Sequence, residues 1–269
     1  MRLNPKDGMA VALVTMSCFE VMRKSDSSKC EIPVWKRALD LLCIALALPV
    51  LVPVMTVIAM LIYLVSPGSV FYLNERVGYR GRRFICFKFR TMKVDADVGV
   101  HQQHLADLMR SDAPMVKMDS KGDARLIPFG AFLRATGLDE LPQLFNVLGG
   151  EMSLVGPRPC IPYEYESYAP AQKRRFNSLP GLTGLWQVSG KNKTTFSEMI
   201  ALDIQYAETK SLWLDLSIMF KTLPTLLGQV IESKVSKRRE ALHQSANLDV
   251  APVGVQSRVG VQARLVAQK

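Results

Sequence analysis

Closely spaced cysteines are missing. Cys18, Cys30, Cys43, Cys86 and Cys160 are scattered along the chain and form no CxxC pair. That spacing excludes a disulfide scaffold or a zinc ribbon and fits a reducing compartment. Histidine is scarce too, at three in 269 residues. His101 and His104 stand three apart in a stretch expected to be helical. No third ligand accompanies them, so they read as surface residues rather than a metal pair. His243 carries no signal, and with histidines placed like this a serine or cysteine triad has no support. The glycine-bearing loops match neither a Walker nor a dinucleotide pattern. No long internal repeat is present. Only one segment is apolar enough for a bilayer, which excludes a many-spanning transporter.

What is present bounds the class. Hydrophobic residues make up 48% of the chain, too many for intrinsic disorder throughout, and the length suffices for one domain with a real core. Lys+Arg number 34 against 24 Asp+Glu, a net charge of +10. Such an excess points to a polyanionic partner: nucleic acid, acidic lipid or a phosphorylated substrate.

The apolar segment runs from Leu41 to Val65 without a charge, enough for the roughly 20 residues that cross a bilayer core. It starts too far from Met1 and is too long for a signal-peptide core. Arg23, Lys24, Lys29, Lys36 and Arg37 precede it; Arg76, Arg80, Arg82, Arg83, Lys88 and Arg90 follow. Basic flanks favour the cytoplasmic side, and one straight crossing cannot place both there. Pro49 and Pro53 fall inside the run, where each removes a helical hydrogen bond. Two readings follow: a helix that bends and returns to its entry face, or one tilted, kinked span.

Beyond the Ser66-Pro67-Gly68 turn the pattern predicts strands over Val70–Arg76 and Phe84–Arg90, joined around Gly78-Tyr79-Arg80-Gly81. Alternation puts Ile85, Phe87 and Phe89 on a core face, with Lys88 and Arg90 projecting together from the other. A polar stretch over 95–121 should hold a helix and a loop. Pro128–Thr136 reads as a short helix stopped by Gly137. Leu138, Leu141, Leu144, Phe145 and Leu148 then predict a helix ended by Gly149-Gly150. Met152–Val155 reads as a strand, and Phe196–Lys210 and Ser211–Leu227 as amphipathic helices. Past Ile231 the composition is that of a loose tail.

Asp139 and Glu140 head the predicted helix that includes Pro142. An acidic cap and a first-turn proline are ordinary grammar for a helix start. The same position can also hold a phosphate, with one carboxylate as nucleophile and its neighbour on Mg²⁺. Lys88, Arg90, Arg134 and Arg158 supply opposite charge. Arg158 stands out, because Gly156-Pro157-Arg158-Pro159 presents a guanidinium fork from a rigid turn.

In order, the segments are Lys36-Arg37 with Asp40, Ser66-Pro67-Gly68, Glu75-Arg76-Val77-Gly78 and Phe87-Lys88-Phe89-Arg90-Thr91-Met92. Then come Leu138-Asp139-Glu140-Leu141-Pro142-Gln143, Val155-Gly156-Pro157-Arg158-Pro159, Pro180-Gly181-Leu182-Thr183-Gly184, Trp186-Gln187-Val188-Ser189-Gly190 and Leu212-Trp213-Leu214-Asp215-Leu216. Together they resemble the bacterial sugar transferases, the monotopic polyprenol-phosphate phosphoglycosyl transferases in their short form, from about Lys36 to Leu227. The resemblance implies an α+β fold: a mixed helix and strand catalytic domain over 67–231, a re-entrant membrane helix over 34–66 bent at Pro53, and membrane-interface helices. Residues 1–33 would be a flexible extension and 232–269 a disordered tail.

The resemblance further implies transfer of a sugar 1-phosphate from a UDP-sugar to polyprenol (undecaprenyl) phosphate with release of UMP. The product would feed exopolysaccharide or a related surface glycan. Asp139 would be the nucleophile, forming an aspartyl-phosphosugar, and Glu140 would bind Mg²⁺ with Asp139 beside it. Lys88, Arg90, Arg134, Arg158 and Gln187 would hold phosphate and substrate. The enzyme would sit in inner-membrane lipid with its site facing the cytoplasm, and no nucleic acid is expected. A membrane-tethered polyanion binder and a transferase releasing UDP are the rival readings. Three departures stand out: Val52 precedes Pro53 where some relatives have Ser, Asn74 replaces a common Gln, and Lys191 a common Arg.

Overall fold

Pro33 opens a helix of 32 residues, α1 (Val34–Val65), in the computed structural model of the chain. The structure describes residues 32–93, 108–109, 111, 114, 125–190, 194–226 and 228. The expectations for 1–31, for most of 95–121 including His101 and His104, for Lys191 and for the tail over 232–269 lie outside them. Helical backbone continues through both Pro49 and Pro53, so the expected break at Pro53 is not an unwound segment. Thr56 Oγ1 donates back to the Val52 carbonyl at 2.8 Å, a local bond of the kind that bends helices.

At about 1.5 Å per residue, α1 would be about 48 Å long if straight, well beyond a hydrocarbon core of about 30 Å. Its middle is exposed, whereas each end buries one side. Lys36, Asp40 and Ile44 are buried at one end, Ile58, Ile62 and Ser66 at the other. Lys36 spends all three ammonium donors inside the protein, on the carbonyl of Val155 at 2.8 Å, Tyr206 OH at 2.9 Å and Asp215 at 2.6 Å. Removing one partner of so buried a pair typically costs about 3–5 kcal/mol. Asp40 accepts from Ser153 Oγ and Leu154 N, and Arg37 caps the Val147 and Leu148 carbonyls. At the far end Arg90 donates to the carbonyls of Ser66 and Pro67, both at 2.8 Å. One body thus grips both ends.

Strands β1 (Phe71–Val77) and β2 (Arg83–Phe89) pair antiparallel from Phe71↔Phe89 to Val77↔Arg83, displaced by one residue from expectation. Arg80, at φ 53°, turns the chain between them. The ribbon is covered on both faces, not one. Phe84 and Cys86 pack with Ile44, Leu144, Val147 and Met152, while Phe89 packs with Ile58, Ile62, Ile127 and Leu133. Helix α2 (Gly130–Thr136) ends at Gly137, which adopts the left-handed φ of 74°. The predicted single helix after it is instead a 3-10 turn, Leu138–Glu140, followed by α3 (Gln143–Gly149) with Pro142 as its cap. Pro142 cannot donate within a helix, and the chain starts afresh there.

Short strands β3 (Ser153–Val155) and β4 (Gly181–Thr183) pair in parallel, with α4 (Pro162–Glu166) between them and α5 (Leu185–Val188) following. A capping box of Thr195 and Glu198 starts α6 (Phe196–Thr209). A last helix, α7, is described over 212–226. It has two apolar sides. Ile218, with Leu214 and Met219, packs on Val155 and Tyr206, whereas Trp213, Phe220 and Leu223 point outward.

Candidate active site

Asp139 and Glu140 ride on the 3-10 turn after Gly137, Asp139 buried and Glu140 partly exposed. Their turn, rather than a helix head, is what presents them, because α3 begins only at Gln143. Arg134 lies in the last turn of α2, just upstream. From β2, Lys88 Nζ donates to Glu140 Oε1 at 2.6 Å. Asn146 sets the distance between those two elements. Fully buried, it accepts from Phe87 N at 3.1 Å and donates to the Ile85 carbonyl at 2.6 Å and to Glu151 Oε2 at 2.7 Å. One amide thereby acts as the next strand along β2, fixing α3 to the residue beside Lys88.

The Arg158 turn is held by backbone pressed against backbone. Gly156 N donates to the Thr183 carbonyl at 2.8 Å, and Gly181 N to the Pro157 carbonyl at 2.9 Å. A Cβ on Gly156 would lie 2.2 Å from the Leu179 oxygen, one on Gly181 2.0 Å from Gly156 N, and one on Gly184 2.3 Å from the Gly156 oxygen. No side chain fits at these positions, which gives the Gly-Pro-Arg-Pro and Pro-Gly-Leu-Thr-Gly segments a common physical cause. Gln187 follows in α5, its Nε2 on the Leu182 carbonyl at 3.2 Å and its buried Oε1 without a partner among the described residues.

Behind the turn, Arg158 Nη1 meets both carboxylate oxygens of Glu164 at 3.4 and 3.3 Å. Glu164 is fully buried and also accepts from Tyr168 OH, with Arg175 next to it and Asp203 on the Arg175 fork. Burial alone would raise the Glu164 pKa, but Arg158 and Arg175 outweigh it and hold the carboxyl below its ordinary value. Asp203 goes the other way: burial pushes it up to about 6 against the pull of Arg175. Arg158 itself keeps 29% of its side chain exposed, and its Nε and Nη2 make no hydrogen bond among the described residues. A positive fork is aimed outward from a buried support.

Cys86 ties the two halves together. Desolvation raises its thiol pKa, while Lys88 on one side and Arg76 on the other oppose that rise. Lys88 and Glu140 are therefore brought together, with Asp139 on the same turn, Arg134 a few residues upstream, and Arg158 on the segment that the Val77–Cys160 bridge holds at the other end of the ribbon. Arg90 is not among them. It lies past the end of β2, where the alternation stops, and its fork is committed to the end of α1. Asn146, Glu164, Arg175 and Arg76 were not singled out from the sequence. Arg76 had a signal, its place in the Glu75-Arg76-Val77-Gly78 block; a buried asparagine mid-helix has none. Among the described residues no three Asp, Glu, His or Cys side chains cluster as a metal cage. One or two carboxylates completed by substrate phosphate and water is how Mg²⁺ is usually held, so Glu140 and Asp139 fit that ion.

The family described as bacterial sugar transferase matches residues 32–229. The chain is 40% identical over 191 residues to the exopolysaccharide production protein ExoY of Rhizobium meliloti (strain 1021), covering 71% of this chain and 84% of that one. It is 40% identical over 200 residues to a UDP-glucose:undecaprenyl-phosphate glucose-1-phosphate transferase of Caulobacter vibrioides, covering 71% and 69%. It is 39% identical over 200 residues to the undecaprenyl-phosphate galactose phosphotransferase of Salmonella typhimurium, covering 71% and 40%. A carboxylate turn clamped by a lysine and an arginine on a glycine-locked turn thus both sit inside the matched region, and the chain belongs to the bacterial sugar transferase family.

Proposed function

We propose that the protein transfers a sugar 1-phosphate from a UDP-sugar to polyprenol (undecaprenyl) phosphate, releasing UMP, in the synthesis of exopolysaccharide or a related surface glycan. The observation that carries this reading is the Lys88–Glu140 contact beside buried Asp139, on a ribbon whose other end is bridged to the segment that carries Arg158. An anionic carboxylate attacking a diphosphate is repelled by it, so the site must be rich in cations. Asp139 attacks the phosphorus that bears the sugar. An Asp139–phosphorus bond forms, the bond to the bridging oxygen breaks, and UMP leaves with that oxygen. An oxygen of polyprenol phosphate then attacks the same phosphorus and returns the Asp139 carboxylate, giving polyprenol diphosphosugar. Lys88, Arg134 and Arg158 hold the non-bridging oxygens, more strongly as negative charge spreads in the transition state. Mg²⁺, held by Glu140 with Asp139 beside it, neutralises diphosphate charge when bound.

The acceptor's phosphate lies at headgroup depth, and α1 keeps the site there. Basic flanks on both sides and a single body gripping both ends support entry and exit on one face, the cytoplasmic face of the bacterial inner membrane. The test incubates purified protein with Mg²⁺, undecaprenyl phosphate and a panel of UDP-sugars while the released nucleotide is identified. UMP is expected, with a phosphosugar adduct that Asp139→Asn cannot form. Release of UDP would mean that sugar alone moves, and the reading would fall.

A further inference from the structure

Arg76 is nine-tenths buried, at 9% exposure, on β1. Its partner in the ribbon is Phe84, so it shares a face with Cys86 and Lys88. Val77 N donates to the Cys160 carbonyl at 2.8 Å, and this bridge brings the segment carrying Arg158 alongside the end of β1. Among the described residues no hydrogen bond or ion pair satisfies the Arg76 guanidinium. Burial most of all, and then Arg158, a second cation that acts on it more strongly than Glu164 does, hold its pKa below the ordinary guanidinium value.

A guanidinium in this position is costly. Burial strips most of its water, and among the described residues no carboxylate within bonding distance replaces it. Counting the cluster, Arg76, Arg158 and Arg175 face Glu164 and Asp203; Arg175 is taken by Asp203, and Arg158 rests on Glu164. Arg76 is the surplus charge. It stands about 13 Å along the ribbon from Lys88, four strand residues away, with Cys86 between them. Two adjacent forks with donors to spare, at one end of a face whose other end holds Lys88 and Glu140, make a cradle for tetrahedral oxyanions.

We propose that Arg76 is a binding arginine of the active site, placed with Arg158 to take the oxygens of a substrate phosphoryl group. This rests on the phosphoryl-transfer reading. Two substrates carry that chemistry, the donor's diphosphate and the acceptor's lipid phosphate, and the two are separable by binding.

The full-length protein in detergent is melted with and without UDP, and with and without a short-chain polyprenol phosphate, as wild type, Arg76→Met and Arg76→Lys. Arg76→Met removes a charge that no bond inside the protein requires, so ligand-free it melts at or above the wild type. Its affinity for one of the two ligands falls at least about thirtyfold, as expected when one member of a buried charged contact is truncated. A loss confined to UDP assigns Arg76 to the donor, and one confined to the polyprenol phosphate assigns it to the acceptor. Arg76→Lys keeps the charge without the fork and weakens the same ligand by about tenfold. If Arg76→Met fails to fold, Arg76→Lys decides. Wild-type affinity for both ligands in whichever variant folds overturns the proposal. Were the wild type to release UDP rather than UMP, the functional reading would fail while these binding results still judged Arg76.

Discussion

Lys88 Nζ and Glu140 Oε1 stand 2.6 Å apart, although one belongs to β2 and the other to the turn before α3. The contact makes the ammonium an orienting group for the carboxylate as well as a partner for phosphate. Lys88→Met and Glu140→Gln should each lower the rate of UMP release by roughly 10²–10³, the usual cost of one preorganised group at a developing charge. The double variant should lose much less than the product of the two, because each side chain has already lost its partner. A cycle of initial rates on the four proteins checks this, and simple multiplicative losses would mean the two act independently.

The turn of Arg158 makes a second prediction. Gly156→Ala and Gly181→Ala drive a methyl group into backbone that cannot yield, at 2.2 and 2.0 Å. Gly150→Ala meets nothing within 4 Å and has only its φ of 83° against it. Gly150→Ala should cost about 1 kcal/mol, and the other two more than about 3 kcal/mol or the fold itself. Denaturant unfolding of the three variants orders them; equal losses would refute the interlock.

Legibility followed locality. The ribbon was readable to within one residue because alternation and the Gly78–Gly81 turn are written in adjacent residues. Helix α6 was readable from its amphipathic spacing, and the structure adds the capping box of Thr195 and Glu198 that starts it. Asp139, Glu140, Lys88 and Arg158 were singled out by residue type and local pattern and given roles by resemblance, and the structure adds how they are held. Arg90 shows where pattern fails. Alternation put it beside Lys88, but β2 ends at Phe89, and the next residue turns to cap α1. Pro142 was taken into a helix that it in fact divides. Asn146 and Glu164 work through partners 59 to 61 and six residues away, and the sequence carries no sign of which buried amide or carboxylate finds them.

The support behind Arg158 should be visible in the pH dependence of stability. Asp203 has its pKa raised by burial from 3.8 to about 6. Between those values the folded protein binds more protons than the unfolded chain, so this group makes stability fall as pH rises from about 4 to about 6. Glu164, held below its ordinary value of 4.5, has the opposite sign: its contribution is present above that pH and is lost as pH falls below it. Asp203→Asn removes the first effect and leaves the second. Relative to the variant, the wild type should lose melting temperature across pH 4 to 6, and parallel curves would show that Asp203 does not titrate there.

The outer side of α7 carries the last prediction. Trp213 is 80% exposed and Phe220 75%, on a helix whose other side packs through Leu214 and Ile218 onto Val155 and Tyr206. A polar domain gains nothing by showing two large aromatics to water, whereas the headgroup zone accepts them, the indole above all. Trp213→Gln with Phe220→Gln removes no core contact and should leave the melting temperature within about 1 °C. Because α1 still anchors the chain, the double variant should stay with membranes after a carbonate wash. What changes is how the site meets the lipid. Turnover with undecaprenyl phosphate in vesicles should fall roughly tenfold, equivalent to about 1.4 kcal/mol of lost surface seating, while UMP release in the acceptor-free half-reaction stays near wild type. Equal loss in both assays would instead mean that the aromatics support the domain itself, and unchanged turnover on vesicles would mean that α7 faces water.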